Sequence, residues 1–310
     1  MSSIPVFDAA ATAALLDFKT LVDALAEASV QHEAGEIHSP VRVGVPLGAD
    51  GVLLSMPASA RDVAIHKLVS VAPGNAQRGL PTIFGAVTVC DGETGRPEFI
   101  LDGPTVTARR TAALSMLGVR VLHASQPKAM LIVGTGQQAH AHALAMHSLY
   151  PAARLWVRGR SAETEAAFCA RLAQQGVIVA GLAGAAAGGG AIPDEVDTVV
   201  MATTSKVPVY TEAARENRLV IGVGTFTPDA AEIGAQTIRA SRVFVDDRQA
   251  ARAEAGDLIQ SGADWSQVRT IGAAVRDGVE KGGAVVLKTV GSGAWDLAAG
   301  RVARGARRVT

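Results

Sequence analysis

Few folds accommodate the segment Ile132-Val133-Gly134-Thr135-Gly136-Gln137-Gln138-Ala139, which reads G-x-G-x-x-A directly after an apolar strand and directly before a helix. The first glycine permits a tight turn, the second lets backbone come close to a ligand, and Ala139 lets the helix pack on the strand. The start of the helix then offers unspent N–H groups and the positive end of its dipole to an anion. In isolation the pattern is weak. In a strand–turn–helix context that opens further αβ units it predicts a pyrophosphate-binding turn.

The surrounding sequence supplies that context. Strands are expected at 129–133, 154–157, 177–180, 198–202, 219–223 and 242–245, with helices between most of them. This alternation predicts a doubly wound parallel sheet, a Rossmann domain spanning 121–284. The preceding block differs. Helical periodicity covers 15–33, extended apolar runs follow at 41–45, 52–55 and 63–71, and a hairpin is expected from 83–89 and 98–101. A helix over 102–122, capped by Thr105 or Thr107, ends the block. A last strand and helix begin at Val285. A second, α+β domain is therefore expected from 1–120 together with 285–310. The run 183–192 is Ala/Gly-rich and reads as a surface loop.

Composition narrows the function. Apolar residues are 48% and charged residues 19% of 310, so the chain is globular. Lys plus Arg and Asp plus Glu are 29 each, which removes any general attraction to nucleic acid or an anionic membrane. No run approaches the length of a membrane span. The two cysteines, Cys90 and Cys169, suit a reducing cytoplasm and read as small core residues.

The second strand of a dinucleotide fold ends where the adenosine ribose is read, and NAD enzymes place an acid there. This chain has Arg158-Gly159-Arg160-Ser161. Two guanidiniums and a hydroxyl suit a 2′-phosphate, so NADPH is expected, with NADH possible.

Further motifs in order are His66-Lys67-Leu68-Val69-Ser70 with Pro73-Gly74-Asn75, Gly79-Leu80-Pro81-Thr82, the long run at 91–97 continuing through 107–113, the glycine turn, and Lys288-Thr289-Val290-Gly291-Ser292. In this combination the chain resembles the ornithine cyclodeaminase/μ-crystallin family over nearly its whole length. The resemblance implies a homodimer whose α+β domain binds substrate and dimerises. It implies an α-amino or α-imino acid substrate whose carboxylate is held by Arg42, Lys67 and Arg110, with Thr82 nearby. The cofactor set comprises Gly134, Thr135, Gly136, Gln137, Gln138, Ala139, Arg158, Arg160 and Ser161, with Arg110, Thr111, Thr203, Val223, Val290 and Gly291. No metal is expected.

The residues themselves agree in part. Arg42 and Lys67 sit in apolar runs, where a cation is either paired or turned outward by strand alternation. Lys67 has two readings, an acid near the imine or a partner of the carboxylate. One departure matters. Family cyclodeaminases carry an aspartate where this chain, set against them on Glu232, has Phe226. Phenylalanine moves no proton. Asp229, three residues later, reads as the first turn of a helix. The chain most resembles the family's reductases acting on cyclic ketimines, 1-pyrroline-2-carboxylate and 1-piperideine-2-carboxylate, with L-proline and L-pipecolate as products. Another amino-acid dehydrogenase, a cyclodeaminase with a rearranged acid, or a non-catalytic NADPH-binding protein are the alternatives. His140, His142 and His147 read as surface residues, and the tail 301–308 as a solvated basic run.

Overall fold

The computed structural model describes residues 3–182 and 191–307, so most of the loop expected at 183–192 lies outside the described residues. The chain divides into two compact units, Met1–Thr111 with Ser292–Thr310, and Ala112–Gly291.

In the first unit, β1 (Val43–Leu47), β2 (Gly51–Ser59), β3 (Val63–Val71), β4 (Ile83–Asp91) and β5 (Pro97–Asp102) form an antiparallel meander in sequence order. Alternation decides its faces. Val63, Ile65, Lys67 and Val69 of β3 are buried, while His66 and Leu68 are exposed. Helix Gly293–Arg307 packs on the buried face over β2, β3 and β4, and beside it lies helix Phe18–Glu33. The register Met56↔Lys67↔Val87 sets Lys67 in the middle of that face.

Two local expectations change. The helix expected over 15–33 is broken: one helix ends at Leu15, and Asp17 caps the next by accepting the Thr20 N–H at 2.9 Å. Asp competes with helix hydrogen bonds from inside a helix and satisfies them at its start. Asp102, rather than Thr105 or Thr107, caps helix Gly103–Leu122, since its Oδ1 accepts the Thr105 N–H at 2.8 Å.

The second unit is an eight-stranded parallel sheet. Its strands are β6 (Ala129–Val133), β7 (Arg154–Arg158), β8 (Ala180–Gly181), β9 (Thr198–Met201), β10 (Leu219–Gly222), β11 (Arg242–Val245), β12 (Arg269–Thr270) and β13 (Val285–Lys288). Their spatial order is β12-β11-β13-β10-β9-β6-β7-β8. Strands β6, β9, β10 and β13 are buried throughout, as strands covered on both faces must be. The chain leaves β6 toward β7 and returns on its other side at β9. Strand order therefore reverses between β6 and β9, which is where α/β sheets open a crevice at their carboxyl ends.

Both boundaries differ from those expected. Strand β13 inserts between β10 and β11, so it belongs to the parallel sheet and the chain returns to the first unit only at Ser292. The second half of helix Gly103–Leu122 joins it there: a Cβ on Gly118 would stand 2.3 Å from Cδ2 of Leu287. Asp229 lies in a turn, and the next helix starts only after Gly234. Among the described residues, no helix is long and apolar enough to cross a membrane.

Candidate active site

The first unit buries a cluster of charge. Lys67 Nζ lies 2.6 Å from Asp296 Oδ2, and Arg110 Nε donates to Asp296 Oδ1 at 3.1 Å. Lys67 is 2% exposed and Asp296 is 0% exposed, so the outward reading of Lys67 is excluded. Asp296 sits in the first turn of helix Gly293–Arg307, where the helix dipole favours an anion. Burial lowers the pKa of Lys67 from 10.5 to about 8; the Asp296 carboxylate opposes this, while Arg110 and Arg42 add to it. Arg42 is half-buried just ahead of β1, near enough for its charge to act on Lys67. Two cations, Lys67 and Arg110, thus pair with one buried carboxylate, and the Arg42 charge also acts on the lysine. Thr82 is exposed ahead of β4, where its carbonyl accepts the Ala72 N–H at 2.8 Å, and among the described residues no hydrogen bond ties it to the cluster.

Asp296 is absent from the expected set. Its signal is an acid within Ala294-Trp295-Asp296-Leu297-Ala298. The rule that a charge in an apolar run needs a partner applies there as it does to Lys67.

In the second unit the expected cofactor residues gather at the carboxyl edge of the sheet. Gly134 follows β6 with φ +117°, and a Cβ there would meet the Ala202 carbonyl oxygen at 2.3 Å. Only glycine fits. A Cβ on Gly136 would meet nothing within 4 Å, and helix Gln137–Leu149 starts at Gly136 with no side-chain cap. Its first N–H groups point out of a cradle, which fits a pyrophosphate. Thr135 and Gln138 flank the turn, and Ala139 is fully buried under it. Thr203 follows β9 and Val223 follows β10, while Val290 and Gly291 follow β13 and donate their N–H groups to Asp246 at 3.1 and 2.8 Å. Thr111 is buried beside Arg110 on helix Gly103–Leu122.

Arg158 ends β7 half-buried and Arg160 is exposed. Ser161 caps helix Ala162–Ala173 in a reciprocal capping box with Thr164, accepting the Thr164 N–H at 3.3 Å. Glu165 is an unforeseen neighbour. Buried on the same helix, it accepts the Gly159 N–H at 2.9 Å and steadies the turn from within.

Other expectations also change. His142 is fully buried, with Nδ1 against the Gln138 carbonyl at 2.7 Å and Nε2 against Ser115 Oγ at 2.8 Å; burial lowers its pKa to about 4. It lies on the inner side of its helix with Ala139, Ala143 and Met146, whereas His147 is exposed. The C-terminal arginines are engaged: Arg301 pairs with Asp62, Arg304 with Asp91 and Glu98, and Arg307 lies over Phe7 and Phe99. Cys90 and Cys169 are half-buried and unpaired. Phe226 is partly buried against the core of the second unit, while Asp229 is exposed and pairs with Lys206 at 3.1 Å.

The profile of the ornithine cyclodeaminase/mu-crystallin family matches residues 6–302. The chain is 55% identical over 306 residues to Delta(1)-pyrroline-2-carboxylate reductase 2 of Burkholderia ambifaria, covering 99% of this chain and 97% of the relative. Identity and coverage are the same with the Delta(1)-pyrroline-2-carboxylate/Delta(1)-piperideine-2-carboxylate reductase of Azospirillum brasilense. The fold matches that of Thermococcus litoralis Delta(1)-pyrroline-2-carboxylate reductase, solved with NADH and L-proline, at a TM-score of 0.87 and 22% identity over 99% of this chain and 98% of that one. A glycine turn at the switch point of a doubly wound sheet, a buried lysine–arginine–aspartate cluster and a match along almost the whole chain lead to one conclusion: the chain belongs to the ornithine cyclodeaminase/mu-crystallin family.

Proposed function

We propose that this chain is an NADPH-dependent reductase of cyclic ketimines, converting 1-pyrroline-2-carboxylate to L-proline and 1-piperideine-2-carboxylate to L-pipecolate. The observation that carries the reading is the buried Lys67–Asp296–Arg110 cluster in a chain 55% identical to named reductases of such substrates. Arg110, Lys67 and Arg42 supply the positive charge that meets the substrate carboxylate. Lys67, lowered to about 8, also carries a proton it can give up near neutral pH, as reduction of the imine nitrogen requires. Asp296 keeps that lysine charged and holds the Arg110 guanidinium in place. The cofactor, when bound, supplies the hydride.

The glycine turn holds the pyrophosphate, and Arg158 with Arg160 favours a 2′-phosphate over a bare ribose hydroxyl. Thr203, Val223, Val290 and Gly291 complete the nucleotide site of the parallel-sheet unit. Phe226 has no proton to exchange, which sets the chain apart from cyclodeamination. The exposed face of the antiparallel sheet carries Val43, Val45, Leu68 and Phe84 and supports a homodimer. The test is NADPH consumption with each cyclic imino acid, alongside ammonia and proline formation from L-ornithine. Imine-dependent NADPH loss without ornithine turnover is expected. Proline from ornithine without imine reduction would overturn the reading.

A further inference from the structure

A second buried charge cluster lies in the parallel-sheet unit, and nothing in the proposed chemistry uses it. Lys288, in β13, is fully buried, with Nζ 2.9 Å from Asp257 Oδ2 and donating to the Thr225 carbonyl at 2.8 Å. Asp257 Oδ1 accepts the N–H groups of Glu232 and Ile233 at 2.6 and 2.8 Å. Glu232, itself fully buried, spends its carboxylate on two separate turns. Oε1 accepts the Thr203 N–H at 2.7 Å and the Thr203 hydroxyl at 2.9 Å, and Oε2 accepts the Gly224 N–H at 2.7 Å.

These turns follow neighbouring strands β9 and β10 on the carboxyl edge. They are packed without slack: a Cβ on Gly224 would lie 2.1 Å from the Thr203 carbonyl oxygen. The same strand-end segment meets the glycine turn on its other side, through Ala202 and Gly134. Three turns thus stand in contact across the switch point, and Glu232 ties together two of them. In a doubly wound sheet the two halves of a dinucleotide lie on either side of that point. The adenosine half belongs to β6 and β7, where the arginines are, and the nicotinamide half to β9 and β10.

A core built only for stability gains little from such a group. Two carboxylates and one ammonium out of water are expensive, and apolar residues of equal volume often do as well. The Glu232 carboxyl is held up at about 7 by burial and by Asp257, against Lys288 and the Thr203 N–H. What a carboxylate provides that apolar packing does not is directed acceptance of three donors from two turns.

We propose that Glu232 is a positioning residue, anchored by Asp257 and Lys288, that sets the Thr203 and Gly224 turns to receive the nicotinamide half of the cofactor. This rests on the nucleotide reading above. In Glu232→Gln the amide nitrogen must face one of three donors, so one hydrogen bond is lost and its partner repelled. Equilibrium titration of the full-length protein measures binding of NADPH and of adenosine 2′,5′-bisphosphate, which carries only the adenosine half. Glu232→Gln weakens NADPH about tenfold or more and leaves the bisphosphate within about twofold. The fluorescence enhancement of bound NADPH falls with it. Thr203→Val removes the hydroxyl that donates to Glu232 and accepts the Ser205 N–H at 3.2 Å, but leaves Glu232 its two backbone donors, so it shifts NADPH binding the same way by less, and Thr203→Ser restores it. Equal weakening of both ligands, or unchanged NADPH binding in a folded Glu232→Gln or Thr203→Val protein, overturns the proposal. Failure of the wild-type protein to bind either ligand instead overturns the nucleotide reading.

Discussion

Replacing Asp296 with asparagine removes the counter-charge from Lys67 and Arg110 while keeping size and one acceptor oxygen. With a pKa of about 8, Lys67 is about 90% protonated at pH 7. Asp296 lies 2.6 Å away and opposes the effect of burial. Loss of an opposite charge at such range moves a titration by roughly 1–3 pH units. Occupancy of the proton at pH 7 then falls to between about 50% and about 1%, and kcat/KM falls by about twofold to about a hundredfold from this cause alone. Arg110, which loses its 3.1 Å partner, adds a loss that does not depend on pH. The assay is kcat/KM for 1-pyrroline-2-carboxylate from mildly acid to alkaline pH, expressed as the ratio of variant to wild type so that titration of substrate cancels. The ratio rises toward acid pH, where the lysine regains its proton. A ratio constant across pH, with the alkaline limb still near 8, would refute the role given to the Lys67–Asp296 pair.

Lys67 also predicts a stability profile. Its folded-state pKa lies below its unfolded value, so the unfolded chain binds more protons between about 8 and 10.5; stability rises with pH through that window, by up to about 3 kcal/mol from this group. Thermal melts of wild type and Lys67→Met across the window measure it, and identical slopes would disprove it. Arg110→Met loses a charge-assisted hydrogen bond to substrate, about 2–4 kcal/mol in transition-state binding, so kcat/KM falls by about thirtyfold to about a thousandfold while NADPH affinity changes little. Near-normal turnover would remove Arg110 from the site. NADPH is preferred over NADH, and Arg158→Asp with Arg160→Ser reverses or abolishes the preference; equal efficiencies in wild type and variant count against the arginines. L-Ornithine with catalytic NAD⁺ yields no proline, and appearance of proline would mean another acid has replaced the one absent at Phe226.

Local patterns made much of this protein legible. The glycine turn could be read because all its requirements lie within a short stretch: an apolar strand, a positive φ at Gly134 and an open helix start at Gly136. Strands β6, β9 and β10 showed as apolar runs because burial on both faces leaves little choice of residue. Lys67 stood out as a cation in such a run, although alternation left its direction open. Tertiary structure decided the rest. Asp296 meets Arg110 across 186 residues, a pairing that no local period encodes. It turned Lys67 from a two-way reading into half of an ion pair. Strand β13 looked like the start of a returning domain, and only the gap between β10 and β11 claimed it for the parallel sheet. His142 changed role for one reason. The same imidazole serves a ligand, a solvent-facing surface or a neighbouring backbone group, and composition does not distinguish them. The choice falls to whichever partner the folded chain brings within hydrogen-bond reach, because a buried polar group left without one costs more free energy than most single contacts provide.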